Sequence, residues 1–175
     1  MANSLSNMTL QAWLTKLESL HFREIDLGLA RVSRVAEKLP LAPIAHRVIS
    51  VAGTNGKGST ICVLAQILQS AGLKVGCYTS PHLMHYNERI KIDGQEVSDD
   101  ALCSAFSRVD QARGETPLTY FEFGTLAAFD LFARADLDIA VLEVGVGGRL
   151  DATNIIDADL ALITSIALDH PDWLG

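Results

Sequence analysis

The chain has 175 residues, of which 49% are hydrophobic and 20% are charged, and its formal net charge is −7. This length suits one folded domain with its own core, and the composition is too hydrophobic for a disordered chain. The acidic balance argues against general attraction to nucleic acid or anionic lipid, because such binding needs clustered Lys and Arg. We therefore expect any phosphate ligand to be held by a local site.

The cysteines and the apolar runs narrow the class of protein further. Cys62, Cys77 and Cys103 are odd in number and lack CxxC spacing. They indicate reduced, buried thiols and not a disulfide framework or a zinc site. The chain shows no signal peptide, and no apolar run reaches the roughly 20 residues that span a bilayer. We expect a soluble, cytoplasmic protein without a nucleic-acid or membrane partner, and we expect a monomer.

Two helices are predicted before the first strand. Thr9 is a suitable N-cap, and the apolar residues behind it recur at helical spacing, namely Leu10, Trp13, Leu14, Leu17 and Leu20. A second, short helix is predicted over residues 29–39, where Pro40 ends it.

A βαβ unit follows, with a strand over 47–52, a helix over 57–72 and a strand over 74–79. An Asp93–Gly94 turn predicts a small hairpin, and Ser98 is a suitable cap for a helix that runs to about Arg113. A further helix over 120–135 and buried strands over 138–144 and 160–165 complete the pattern. The fold class is therefore α/β, a mostly parallel sheet with helices on both faces. The chain stops soon after a core strand, so we expect it to be a fragment.

The stretch SVAGTNGKGST, residues 50–60, lies at the first strand-to-helix turn. It resembles a P-loop but does not fit the GxxxxGK[ST] spacing. Backbone N–H groups around Gly53, Gly56 and Gly58 can converge on phosphate oxygens, the helix N-terminus adds partial positive charge, and Lys57 supplies a full charge. A plain glycine turn capped by Asn55 is the alternative.

Other polar residues follow the ends of later strands, where ligands collect in a parallel sheet. Glu143 ends an apolar run, and a carboxylate there is costly without a cation, so it is a candidate magnesium ligand or one half of a structural ion pair. His170 follows the last strand, and its chemistry favours a hydrogen-bonded loop histidine because Mg²⁺ prefers oxygen ligands. The segment GVGGRLDATN, residues 145–154, suggests a backbone that closely approaches a ligand.

Taken together, these segments resemble the family of dihydrofolate and folylpolyglutamate synthases, which are Mur-ligase-like ATP-dependent amide ligases. The resemblance rests on IDLGLARV (25–32), VAGTNGKGST (51–60), YTSPHLMHYNERIKIDG (78–94), TYFEFGTLAAF (119–129), LEVGVGGRLDATN (142–154) and TSIALDHPDWLG (164–175). Enzymes of this family have a phosphate loop of this shortened form. The segments cover nearly the whole chain in order.

The resemblance implies roles for individual residues. Glu143 and His170 would bind magnesium, with the metal-binding hydroxyl coming from Ser80; Lys57, Glu143 and His170 would serve catalysis. The ATP phosphates would be held by Thr54, Asn55, Gly56, Lys57, Gly58 and Ser59. The pteroate substrate would contact Ile25, Asp26, Leu27, Gly28, Thr119, Tyr120, Phe121, Glu122, Leu150, Asp151 and Ala152. Phe121 offers a face for pterin stacking, or it is plain helix core. We interpret His82 and His85 as solvated or substrate-edge residues.

The implied reaction uses ATP and Mg²⁺ to join L-glutamate to dihydropteroate or to folates through an acyl phosphate, in folate biosynthesis and one-carbon metabolism. Residues 1–45 would form a helical lead-in with the pterin loop and residues 46–175 the P-loop core. The family's carbamylated lysine and C-terminal domain are absent, so we expect the isolated chain to be inactive. The alternatives are a cell-wall Mur-type ligase and a non-catalytic nucleotide-binding module.

Overall fold

The described part of the protein is an α/β fold built on a six-stranded sheet. The structure is a computed structural model that describes residues 8–20, 28–41 and 43–167. Its helices are α1 (Leu10–Ser19), α2 (Ala30–Ala36), α3 (Lys57–Ser70), α4 (Asp99–Arg113) and α5 (Tyr120–Ala133). Its strands are β1 (Arg47–Ala52), β2 (Val75–Tyr78), β3 (Ile90–Ile92), β4 (Gln95–Glu96), β5 (Ile139–Glu143) and β6 (Leu160–Ile163). Short 3₁₀ turns cover Tyr86–Arg89 and Ala152–Ile155.

The strand order is β4-β3-β2-β5-β1-β6. β1 lies parallel to β5 and β6, and β2 lies parallel to β5. β3 and β4 form the predicted hairpin and extend the sheet antiparallel to β2. The fold class predicted from the sequence, a mostly parallel sheet, is therefore confirmed.

Helices cover both faces of the sheet because successive residues of each central strand point to opposite sides. On β5, Ala140 and Leu142 join the larger core with α1, α2, α4 and α5, whereas Val141 joins a smaller core under α3. The α5 helix is central to the larger core, and its phenylalanines at 123, 129 and 132 are fully buried. The parallel strands thereby gather their carboxyl ends at one edge.

The helix caps follow the sequence. The side chains of Thr9 and Ser98 accept hydrogen bonds from backbone N–H groups three residues on, which satisfies donors that a helix start leaves unpaired. The α2 helix is shorter than the predicted 29–39 and ends at Ala36, before three residues that form a turn. The prediction of buried thiols is wrong for Cys62, which lies on the exposed side of α3; Cys77 and Cys103 are half-buried.

No helix in the described ranges is long and apolar enough to cross a membrane.

Candidate nucleotide and metal site

The glycine-rich loop joins β1 directly to the N-terminus of α3. Gly56 takes a left-handed conformation (φ 82°) as the N-cap, and Lys57 is the first helical residue. Lys57 Nζ donates to the carbonyl oxygens of Gly53 at 2.8 Å and of Thr54 at 3.4 Å. The loop therefore holds its ammonium group over its own backbone, next to the partial positive charge of a 14-residue helix. This combination suits the binding of phosphate oxygens.

The segment that follows β6 fixes the shape of this loop. Thr54 N donates to the Ser165 carbonyl at 2.6 Å, and Ala167 N donates to Thr54 Oγ1 at 3.1 Å. Gly53 has φ 131°, and a Cβ there would lie 3.0 Å from the Ser165 oxygen and closer still to Thr164 Oγ1. Only glycine fits such a position without strain. The chain through Ala167 thus lies against the loop.

Glu143 lies between the ends of two strands because of the sheet register. It pairs with Val51 of β1, and its neighbour Leu142 pairs with Tyr78 of β2. Ser80, two residues beyond Tyr78, donates its backbone N–H to Glu143 Oε2 at 3.0 Å. The loop after β2 is thereby tied to the end of β5, and the predicted proximity of Ser80 and Glu143 is present in the fold.

Burial defines the electrostatics of Glu143, which is 5% exposed. Burial raises the pKa of its carboxyl group above the usual value, while the hydrogen bond from Ser80 and the charge of Lys57 act in the opposite direction. A Cβ at Gly58 would lie 4.0 Å from Glu143 Oε2, so the start of α3 lies beside this carboxylate. Among the described residues, Lys57 forms no ion pair with it.

These residues fit a magnesium ion on chemical grounds. Mg²⁺ prefers oxygen ligands and is commonly bound by one or two carboxylates together with substrate phosphates. Glu143 supplies a second carboxylate oxygen, Oε1, that receives no hydrogen bond from the described residues, and Ser80 carries a hydroxyl in the adjoining loop. In the described ranges no three His, Cys, Asp or Glu side chains converge. His170 lies outside the described residues.

The predicted stretch from Thr119 to Glu122 forms the N-terminus of α5. Thr119 is the N-cap, its Oγ1 accepts from Glu122 N, and Glu122 Oε2 accepts from Thr119 N at 2.8 Å. Glu122 is 4% exposed and also pairs with Arg31 Nη2 at 2.9 Å. These bonds tie α5 to α2, the helix that begins just after Gly28. Tyr120 and Phe121 are half-buried.

Phe121 joins this helix to the glycine-rich segment after β5. A Cβ at Gly145 would lie 2.6 Å from Phe121 Cζ and 3.0 Å from Asp151 Oδ2, so the ring packs directly on backbone. The ring centroid also lies 5.9 Å from that of Tyr78. The structure therefore brings together stretches 119–122 and 150–152, which the family resemblance assigns to the same substrate.

Asp151 holds the segment after β5 in shape. Its Oδ1 accepts from Thr153 Oγ1 at 2.7 Å, and its Oδ2 accepts from Val146 N at 2.9 Å. Burial raises the pKa of this carboxyl group, and these hydrogen bonds oppose the rise. Ala152 is buried, whereas Leu150 is 49% exposed. Of the predicted substrate residues, Ile25, Asp26 and Leu27 lie outside the described residues.

Arg89, near this edge, is a buried residue that the sequence did not single out. The ring of His82, interpreted above as solvated or at a substrate edge, is half-buried and accepts a hydrogen bond at Nδ1 from Arg89 Nε at 2.8 Å. His85 is more exposed and pairs with Glu96 at 2.9 Å. Arg89 stands in the charged run NER, which looks like a solvated turn, and no periodicity in the sequence marks it as buried.

Comparison with known proteins identifies the family. Residues 51–175 match the Mur ligase middle domain. The chain belongs to the Mur ligase middle domain family. It is 57% identical over 166 residues to the dihydrofolate synthase/folylpolyglutamate synthase of Escherichia coli K12, a match that covers 95% of this chain and 39% of the relative. The resemblance to these synthases is thus confirmed.

Solved structures of this family agree closely with the fold. The E. coli FolC structure in complex with DHPP and ADP has a TM-score of 0.95 at 56% identity, covering 97% of this chain and 41% of that one. A bifunctional folylpolyglutamate synthase/dihydrofolate synthase with Mn, AMPPNP and L-glutamate bound has a TM-score of 0.90 at 56% identity, covering 97% and 41%. The chain spans about two fifths of the length of these Mur ligase family relatives.

Proposed function

We propose that this chain carries the nucleotide and metal site of an ATP-dependent ligase that joins L-glutamate to dihydropteroate and to the glutamate tail of folates. The observation that carries the proposal is the meeting of Ser80 and Glu143 beside the loop that holds Lys57. The similarity to dihydrofolate synthase/folylpolyglutamate synthase at 57% identity supports the choice of substrates. The relatives crystallised with ADP or with Mn and AMPPNP support ATP and a divalent cation as requirements.

In this proposal the loop residues have separate tasks. Thr54, Asn55, Gly56, Gly58 and Ser59 present backbone donors to the ATP phosphates, and Lys57 exchanges its contacts with the loop carbonyls for the terminal phosphates. Ser80 and Glu143, together with His170, would hold Mg²⁺. The ion supplies charge neutralisation on the phosphates. The chain spans about two fifths of the length of its relatives, so the activity is proposed for the whole ligase.

The chemistry is a transfer of the γ-phosphoryl group to a substrate carboxylate, followed by attack of the glutamate amine on the acyl carbon and release of phosphate. Lys57 stabilises charge on the transferred group, so the chain contributes positioning and electrostatics, with no covalent step on a side chain. A divalent cation bound beside Glu143 would favour its ionised form and offset the effect of burial on its pKa.

The substrate acid would lie between α5 and the segment after β5. Phe121, held against Gly145, offers an aromatic face to a flat pterin, and Ala152 and Leu150 border it. The family resemblance adds Gly28 and the preceding residues Ile25, Asp26 and Leu27 to the contacts of this substrate. We assign residues 1–45 to this substrate loop and its helices, and residues 46–175 to the nucleotide-binding core, in a cytoplasmic, monomeric enzyme.

A chimeric ligase tests the proposal. This chain replaces the matching segment of the E. coli relative, and ADP release is measured with ATP, Mg²⁺, dihydropteroate and L-glutamate. We expect turnover that requires both organic substrates and that falls at least about a hundredfold in Lys57→Gln, since a charged phosphate contact is lost. An inactive chimera beside an active parent enzyme, or turnover with a nucleotide-linked muropeptide, would contradict the proposal.

A further inference from the structure

Arg89 is a buried cation at the end of the 3₁₀ turn Tyr86–Arg89. The residue is 9% exposed, and within the described part of the chain no Asp or Glu forms an ion pair with it. Other partly buried arginines behave differently. The side chain of Arg113 is 13% exposed and pairs with Asp110 at 2.7 Å, and that of Arg108 is 32% exposed and pairs with Asp130. Arg89 therefore departs from the pattern of this protein.

The groups that do contact Arg89 leave part of its guanidinium available. Its Nε donates to His82 Nδ1, and its Cζ lies 5.2 Å from the centre of the Tyr86 ring and 5.6 Å from that of Tyr120. The two rings stabilise the positive charge through their faces, and neither phenol oxygen accepts a hydrogen bond from the Nη groups. No hydrogen bond of the described residues uses those Nη groups. The Nη groups are not among the fully buried atoms of the described chain, so an incoming anion can reach them, and a largely buried guanidinium is stabilised by such an anion.

The hydrogen bond from Arg89 also determines the state of His82. A guanidinium only donates, so Nδ1 of His82 must accept, and the proton of the neutral ring sits on Nε2. His82 then offers a second donor near the guanidinium. The His82 and Tyr86 rings lie 5.8 Å apart, which keeps the imidazole at this cluster.

The cluster lies between the two halves of the candidate site. The Arg89 carbonyl accepts from Thr79 N at 2.9 Å, next to Ser80, so Arg89 starts beside the predicted metal-binding loop. Tyr120, at its other end, is the first residue of α5 and precedes Phe121. An anion held at Arg89 would therefore lie between the phosphate site and the predicted face for the pterin.

We propose that Arg89 and His82 form a binding subsite for a carboxylate of an organic substrate of the ligase, an assignment that rests on the proposed function. The planar guanidinium fork matches a carboxylate, and one positive charge with one neutral donor matches a single negative charge. Phosphate groups have the glycine-rich loop and Lys57 instead. Tyr86 and Tyr120 leave an aromatic border that fits a carboxylate on a flat acid or on an amino acid.

The test uses the chimeric ligase described above, with Arg89→Gln, Arg89→Lys and His82→Gln. The control is Arg134→Gln, the same exchange at a 49% exposed arginine that shares Asp130 with Arg108. Steady-state KM values are measured for dihydropteroate, L-glutamate and ATP, and melting temperatures for all variants. We expect Arg89→Gln to raise the KM of one carboxylate substrate about 10- to 100-fold, the range for a charge-assisted hydrogen bond, and to leave the KM for ATP unchanged.

The two carboxylate sources give different results. A rise confined to L-glutamate assigns the subsite to the incoming amino acid, and a rise confined to dihydropteroate assigns it to the acid that is activated. Arg89→Lys should recover part of the loss, because the charge remains without the planar fork. Unchanged KM values in Arg89→Gln, or a lower melting temperature as its only effect, would overturn the subsite.

An inactive chimera would count against the proposed function alone. In that case the subsite is tested by measuring binding directly. Pteroate and L-glutamate are titrated separately into the chimera without turnover, by pterin fluorescence and by calorimetry. Equal affinities of Arg89→Gln and the unsubstituted chimera for both acids overturn the subsite, and a loss for one acid supports it. If neither pteroate nor L-glutamate binds to the unsubstituted chimera, the subsite is also overturned.

Discussion

The backbone N–H of Ser80 donates a 3.0 Å hydrogen bond to Oε2 of Glu143, a residue 63 positions further along the chain. This bond joins the loop after β2 to the end of β5, and the same carboxylate is close enough to Lys57 for its pKa to respond to that charge. Three segments that are remote in sequence thus meet at one edge of the sheet. The proposed nucleotide and metal site depends on the proximity of these three segments.

The shape of the phosphate loop depends on a glycine. Gly53→Ala should destabilise the chain by about 1 to 3 kcal/mol, because φ 131° is strained for alanine and its Cβ would overlap Thr164. Gly148→Ala is the matched control, since a Cβ there meets nothing within 4 Å. Thermal denaturation of both variants measures the difference, and equal melting temperatures would show that the loop is not held as described.

The loop that leads to Arg89 depends on Glu88. Backbone N–H groups of Leu83, His85 and Met84 lower the pKa of its carboxyl group to about 2, from its usual value of 4.5. A lowered pKa in the folded state contributes stability above the unfolded pKa and loses it as the pH falls through the folded one. The stability difference between the unsubstituted chain and Glu88→Gln should be present at pH 7 and should disappear between about pH 4.5 and 2.

Denaturant unfolding at a series of pH values tests this window. Glu115→Gln is a suitable control because Glu115 is exposed and lies outside the loop. A difference between Glu88→Gln and the unsubstituted chain that stays constant down to pH 2 would contradict the assignment of the three backbone donors.

Phe121 and Phe123 separate substrate stacking from core packing on the same helix. Phe121 is half-buried against Gly145, whereas Phe123 is fully buried. Phe121→Leu should weaken pteroate binding to the chimeric ligase about 2- to 10-fold, the usual range for an aromatic contact. Phe123→Leu should lower the melting temperature with little change in affinity. Fluorescence titration of pteroate measures the affinities, and thermal denaturation measures the melting temperatures. A lower melting temperature with unchanged affinity in Phe121→Leu would place Phe121 in the core alone.

The thiols should differ in reactivity. Burial raises the pKa of Cys77 to about 11 from 9.0, which leaves it about a hundredfold less thiolate than an unperturbed thiol. Cys62 is exposed on α3. In the folded chain at pH 8, a disulfide reagent should therefore modify Cys62 first and Cys77 last, and Cys62→Ser should lack the fast phase. Mass spectrometry of partly labelled protein identifies the residues, and rapid labelling of Cys77 would contradict its burial beside α3.

The sequence predicted the order and type of the helices and strands, because capping residues and hydrophobic periodicity indicated the same elements. Thr9 and Ser98 cap helices where predicted, and β1 has the predicted bounds, since these features depend on residues close in the chain. α2 and β5 are shorter than predicted, because element ends are the least regular part of a helix or strand. Val144, just past β5, still donates its backbone N–H to Val51 at 3.0 Å. The strand order of the sheet was not predicted, and it is this order that sets Glu143 beside Val51.

The side-chain contacts of the site were less accessible to sequence reasoning. The bond between Glu122 and Arg31 spans 91 positions, and the burial of Arg89 depends on the packing of Tyr86 against α5. No spacing in the chain encodes either contact. Ser80 was recognised through its family resemblance alone, because a single serine after a strand has no periodic signal.

The most direct test of the central claim is to locate the metal ion. Crystals of the chain grown with Mn²⁺ and a non-hydrolysable ATP analogue would be measured at the manganese absorption edge, and the anomalous difference map would be calculated. The account predicts a peak at coordination distance from the Glu143 carboxylate and the Ser80 hydroxyl, with the analogue's phosphates on the loop of Lys57. A bound analogue with its manganese away from Glu143, or phosphates bound outside the loop, would contradict it.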